Sequence, residues 1–228
     1  MTKHFSENGI AELMVLDYYR GEMEGLLGQR KEGIASKIQK LSGGKIPIKP
    51  FMSVWTHDFP RYLRYSFIIQ LVSFAEDKLA TLCADVGRHK HLDGEEVKTK
   101  LNKIRGDRKI GKIESTEVFL EESLGALFSP GTLPGFLKGI RELYAPVLFM
   151  VAVRNCIVHD SGNISELEPE KRRTELLRGV GLFPGFDIRD EVIMLEDKFC
   201  KNCLENVNNL LISMVQVARS FRTPPKPR

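Results

Sequence analysis

Apolar residues return every three or four positions through nearly every long segment of this chain, and only one stretch alternates with period two. That pattern predicts an all-α helical bundle with a minor β-hairpin or extended arm near residues 180–195. The first periodic segment covers residues 10–41, where Ile10, Leu13, Leu16, Leu27, Ile34 and Ile38 fit a helical period. Gly21, Gly25, Gly28 and Gly33 weaken it, each by about 1 kcal/mol relative to Ala, so a break is expected near Gly28. A Gly- and Pro-rich loop over 42–60 follows, with Phe51, Val54 and Trp55 as anchors. Residues 60–86 then form the most apolar long helix, with Asp58 as its cap and Pro60 in its first turn. In it Tyr62, Tyr65, Phe67 and Phe74 read as core rather than as a base-stacking platform.

Residues 87–115 change character and read as a short helix followed by a basic loop. A helix over 115–128 ends in punctuation at Pro130, Gly131 and Pro134. Pro146 is expected to divide the next helical stretch into 136–144 and 146–161, with Gly162 closing the second. A charged helix near 168–178, the alternating segment 179–195 and a last helix over 196–219 complete the reading. One domain over 1–222 is expected, with a basic, Pro-rich and disordered tail at 223–228.

Composition bears on where such a chain works. The longest unbroken apolar run, residues 145–153, is nine residues long. A spanning helix needs roughly 20. The first nine residues are polar. No membrane association and a cytoplasmic location are therefore expected. Four cysteines in 228 residues are too few for a disulfide scaffold and should be reduced there. A net charge of +4 permits an anionic partner without requiring one.

The segment VLFMVAVRNCIVHDSG, residues 147–162, is apolar until Arg154 and then turns polar within two helical turns. Asn155 and His159 are four apart and share a helix face. Arg154 lies about 100° round, and its long side chain can lean towards the same edge. Leu148, Val151 and Val158 are expected to hold the opposite face in the core. A guanidinium, an amide and an imidazole would then emerge together from one rigid element. That set suits RNA cleavage, in which the ribose 2′-OH attacks the adjacent phosphorus. Histidine does acid–base work near neutral pH, and arginine matches phosphate oxygens with a planar fork of donors. His159 also lies near the helix C-terminus, where the dipole favours a cation and hence an acid role. One histidine is too few for separate acid and base, and a symmetric dimer would supply the second.

Arg154-Asn155-Cys-Ile-Val-His159, with Asp160 and Gly162 after it, resembles the Arg-x4–6-His motif of the HEPN superfamily in its Arg-Asn-x-x-x-His form. The match is local, carried by six residues and their helical context. The resemblance implies a helical bundle acting as a dimeric, metal-independent endoribonuclease with no cofactor. It implies catalytic roles for Arg154 and His159, with Asn155 as their polar companion. It also implies an acidic residue from an earlier helix, for which Glu76 and Asp77 are the candidates. Family members serve in toxin–antitoxin and antiviral defence, which implies RNA as substrate and an antitoxin or regulatory protein as partner. Some have lost catalysis and only bind nucleotides or other proteins.

The bland alternatives stand beside these. Arg154 and His159 would equally cap a helix and pair with carboxylates such as Asp160, and Glu76 and Asp77 would form an ordinary solvated turn. The basic run Lys98, Lys100, Lys103, Arg105, Arg108, Lys109 and Lys112, broken only by Asp107, is either an RNA-phosphate contact or plain solvated surface. Cys200-x-x-Cys203 has no second cysteine pair, and His89-x-His91 lies in another segment, so no metal site is expected.

Overall fold

The computed structural model describes residues 2–43, 54–88, 90–125, 133–165, 167–168 and 170–220. Phe51, the side chain of Trp55, His89, Pro130, Gly131 and the tail from Thr223 lie outside the described residues. The fold is all-α with one small hairpin. Its helices are α1 (Thr2–Ser42), α2 (Phe59–Arg88), α3 (Gly94–Arg108), α4 (Lys112–Gly125), α5 (Leu133–Asp160), α6 (Glu170–Gly179) and α7 (Asp197–Ser220). Strands β1 (Phe186–Arg189) and β2 (Val192–Leu195) pair antiparallel between α6 and α7.

Three boundaries differ from the sequence reading. α1 passes through Gly28 without a break, and its five interior glycines meet nothing a Cβ would touch. α5 is one continuous helix across Pro146 rather than two. A proline there removes a single N–H, whose acceptor would be the carbonyl of Glu142, and Glu142 is exposed to solvent that can satisfy it. The short helix and loop expected over 87–115 are present, but the helix takes in most of the basic run and leaves only residues 109–111 as the connection to α4. Asp93 and Glu96 start α3 with a reciprocal capping box, and Lys109 ends it in the left-handed region at φ 53°. Lysine and arginine are good helix formers and carry the helix on from that start, with Gly106 the one strong opponent in its last turn. A single π-helical turn, Val54–Asp58, leads directly into α2, and the Asp58 carboxylate pairs with Arg61.

The chain divides into two compact units, each discontinuous in sequence. One comprises residues 1–12, 71–151 and 203–228. Its buried residues include Leu71, Leu79 and Cys83 of α2, Leu120 of α4, Met150 of α5 and Leu210 of α7. Gly87 is required there, because a Cβ would run into the Val97 side chain. The other unit comprises residues 13–70 and 152–202. It buries Tyr65, Phe67 and Ile68 of α2, Val153 and Cys156 of α5, Ile193 and Leu195 of β2, and Phe199 of α7. Of the four aromatics read as core, Tyr65 and Phe67 are buried, Phe74 is half-buried and Tyr62 is exposed. Tyr62 instead lies under the Arg61 guanidinium, 5.0 Å from ring centroid to Cζ.

Two ion-pair systems tie α1 within the second unit. Arg20 bonds both Asp17 and Asp197. Arg64 forms a two-pronged bond with Glu24 at 2.6 and 2.8 Å and donates its remaining nitrogen to the Leu195 carbonyl. Among the described residues one helical segment, Arg141–Asp160, is long and apolar enough to cross a membrane by length and composition alone. The sequence reading, which counted only the unbroken run, expected none. A core helix passes the same test, and the buried side chains of this segment include Tyr144, Val147, Met150 and Val153.

Candidate active site at the end of helix α5

The last two turns of α5 carry Arg154, Asn155 and His159. Val153, Cys156 and Ile157 hold the helix in the core, at 0%, 0% and 7% exposure. Leu148 and Val151, expected there, are only half-buried, and Val158 is 50% exposed. The apolar stripe is therefore rotated from the expected one, and Val158 shares the open side of the helix with exposed His159 and half-buried Asn155. Arg154 is half-buried, with its Nε enclosed. Arg154, Asn155 and His159 thus lie within the last two turns of one helix, with Asn155 and His159 one turn apart on the same face.

What holds that end is local and tight. The chain leaves α5 through Ser161 and Gly162, both at positive φ, and the Gly162 amide donates to the Cys156 carbonyl at 3.1 Å. Gly162 lies against the Tyr65 ring so closely that an added Cβ would overlap the phenol. The Tyr65 hydroxyl in turn donates to the Ile193 carbonyl of β2. The exit segment also pairs with that strand: the Ile193 amide donates to Gly162 O and the Ile164 amide to Glu191 O, both at 2.8 Å. The hairpin is thus the brace of the motif helix. Its turn, Asp190–Glu191, has both residues at positive φ, which matches the right-handed twist of a two-residue hairpin.

Burial sets the electrostatics. It pushes the Tyr65 phenol well above its ordinary range, so Tyr65 stays a neutral donor. It raises the Cys156 thiol to about 12, with the Asp160 charge adding to the effect. Cys156, between Asn155 and His159 in sequence, is therefore an inert core thiol rather than a nucleophile.

Glu76 and Asp77 belong to the other unit. There the Glu76 carboxylate accepts from Lys112 Nζ at 3.3 Å, and Asp77 is exposed with its carboxylate 3.8 Å from Lys78 Nζ. The seven basic residues also belong to that unit and split into two sets. Lys100, Lys103 and Arg108 line one groove, whereas Lys98, Arg105, Lys109 and Lys112 do not. Among the described residues no cluster of three or more His, Cys, Asp or Glu side chains is arranged to hold a metal. Cys200 and Cys203 are both buried in α7. Sequence reasoning missed Tyr65 as the anchor of the site. It had marked Tyr65 as core, but its pairing with Ile193 is 128 positions away in sequence.

No family model, curated protein or solved structure matches this chain.

Proposed function

We propose that this protein is an endoribonuclease that cleaves RNA by 2′-OH transesterification, with Arg154, Asn155 and His159 as its catalytic set. The observation that carries the reading is the placement of an exposed histidine with a half-buried asparagine and a half-buried arginine in the last two turns of one braced helix. A histidine serving the core would be buried and bonded within its own chain, and His159 is exposed, so its imidazole is open to a substrate.

In the reaction, the 2′-oxygen bonds to phosphorus as a base takes its proton. The P–O5′ bond breaks, and an acid delivers a proton to the departing 5′-oxygen. The products are a 2′,3′-cyclic phosphate and a 5′-OH. His159 is one of the proton-transfer groups. Arg154 stabilises the charge of the phosphorane through its guanidinium fork, and Asn155 orients the imidazole or the phosphate. No metal takes part in this scheme. The second proton-transfer group comes from His159 of a second copy, which makes the active form a homodimer. Exposed Val158 beside His159 supplies apolar surface for such a contact. A defence or toxin role, with an antitoxin or other regulator restraining the enzyme, follows from the HEPN resemblance.

The same exposed Val158 favours a second reading, in which this face only binds a partner protein and no chemistry follows. Purified protein is incubated with total cellular RNA and tRNA in EDTA, beside His159→Ala and Arg154→Ala. Cleavage by the wild type alone, with cyclic-phosphate ends, is the expected result. A folded, dimeric wild type that leaves RNA intact would favour the interaction module. Equal cleavage by the variants would remove these residues from the scheme.

A further inference from the structure

The basic helix α3 has two unlike faces, and only one of them builds a concave site. Lys100, Lys103, Ile104, Asp107 and Arg108 recur at the three- and four-residue spacing of a single face. With Lys90 and Leu92 before the helix, and Phe119, Glu122 and Ser123 of α4, they line a groove of about 470 Å³. That volume falls in the range of small-ligand sites, roughly 300–1,000 Å³.

The charges in the groove do not cancel. Arg108 is paired with Glu122 at 2.8 Å. Among the described residues Lys90, Lys100 and Lys103 have no ion-pair partner, and Asp107 is the one remaining carboxylate of the lining. The other face is more fully engaged. Lys98 pairs with Glu95 at 3.5 Å and Arg105 bonds Asn102 at 3.3 Å, while Lys109, just past the helix end, has no ion-pair partner among the described residues. A surplus of unpaired ammonium groups around a concave wall, with Leu92 and Ile104 half-buried beside them, fits an anion that also carries apolar surface. A plain solvated face would lack the concave wall that gathers these three lysines beside apolar side chains.

We propose that this groove binds the phosphate groups of a nucleotide, with Lys90, Lys100 and Lys103 as the phosphate contacts. The sugar or base edge rests against Leu92 and Ile104. The inference deepens the ribonuclease reading if the nucleotide belongs to an RNA strand, yet it does not depend on cleavage. It also divides the basic run: Lys98 and Lys109 are exposed but take no part in the groove.

The test uses the full chain and a fluorescent 2′-O-methyl oligoribonucleotide. That strand has no free 2′-OH, so binding is read whether or not the protein is a ribonuclease. Affinity is followed by anisotropy across a salt series. Lys100→Gln/Lys103→Gln is compared with Lys98→Gln/Lys109→Gln, which removes the same charge from outside the groove. Circular dichroism checks that both remain folded. The groove pair is expected to weaken binding at least tenfold and to reduce the salt slope by about 1.4, at roughly 0.7 per single-strand phosphate contact. The control pair should change affinity less than twofold. Competition by a free nucleoside triphosphate assigns the groove to mononucleotides, and absence of competition assigns it to the strand. Equal losses in the two pairs, or no binding by the wild type, would overturn the proposal and leave α3 a solvated face.

Discussion

Tyr65 and Gly162 interlock: the phenol occupies the space where any other residue at position 162 would place its Cβ, and its hydroxyl is spent on the Ile193 carbonyl. This contact fixes where α5 ends and so where His159 stands. Gly162→Ala must both adopt φ 81° and displace the ring, whose Cζ would lie 2.8 Å from the new carbon. Left-handed backbone alone costs roughly 1–2 kcal/mol for a residue with a Cβ, and overpacking adds about 1–3 kcal/mol. Gly162→Ala should therefore lose more than about 2 kcal/mol in urea unfolding by these magnitudes. Tyr65→Phe strands a buried carbonyl and should lose about 1–2 kcal/mol.

His159→Ala should lower RNA cleavage by about 10²- to 10⁴-fold, the usual contribution of a positioned acid or base. Because the side chain is exposed, its removal should change unfolding free energy by less than about 0.5 kcal/mol. Initial rates in EDTA and parallel denaturant titrations measure the two quantities. A loss of stability matching the loss of rate would make His159 structural.

Val158→Glu tests whether the composite site forms. The residue is half exposed, so a charge there spares the fold. Placed across a two-fold seam, it would confront its own copy at close range. Sedimentation velocity should show the wild type as a dimer and the variant as a monomer, with cleavage lost in step. A monomeric but active Val158→Glu would end the dimer requirement.

The buried thiols predict an alkaline limit. Burial raises Cys156, and likewise Cys200, from an ordinary 9.0 to about 12. In each the folded state holds the proton more tightly than the unfolded chain. Their contribution is complete below pH 9.0 and is lost as the pH rises from 9.0 towards 12. Asp197 works at the other end. Burial opposes its ionisation, but the hydrogen bond from Lys201 and the charge of Arg20 outweigh this and lower it below 3.8. Its contribution is present above 3.8 and fades as the pH falls through the folded value. Native protein at pH 8 should accordingly resist a thiol reagent at all four cysteines, which are buried, and react after unfolding. Rapid labelling of Cys156 in the native state would contradict its placement.

Glu191→Gly should stabilise the hairpin. The residue sits at φ 63° in the turn, a conformation costing a side chain roughly 1 kcal/mol that glycine escapes. It gives up a pair with Arg173 at 2.9 Å, in which Glu191 is half exposed, worth about 0–1 kcal/mol. The net gain in thermal unfolding should be between zero and about 1 kcal/mol on these figures, and a clear loss would show that Arg173 matters more than the turn strain.

Much of this was legible along the chain, because period and punctuation are local properties. The helical repeat of α2 and α7, the alternation of 186–195 and the helix stop at Gly162 all follow from neighbours a few positions apart. The spacing of Asn155 and His159 was enough to put both on one face of α5. Facing and continuity were decided elsewhere. Val158 is open and Cys156 closed because of what packs beside α5, and an apolar residue on either side reads alike in sequence. Pro146 sits within a helix because solvent can satisfy one freed carbonyl. The basic residues sort into a groove set and an outer set only once α4 lies beside α3. Tyr65 became the anchor of the site through a partner on a distant strand, a pairing that no local pattern encodes and that packing alone selects.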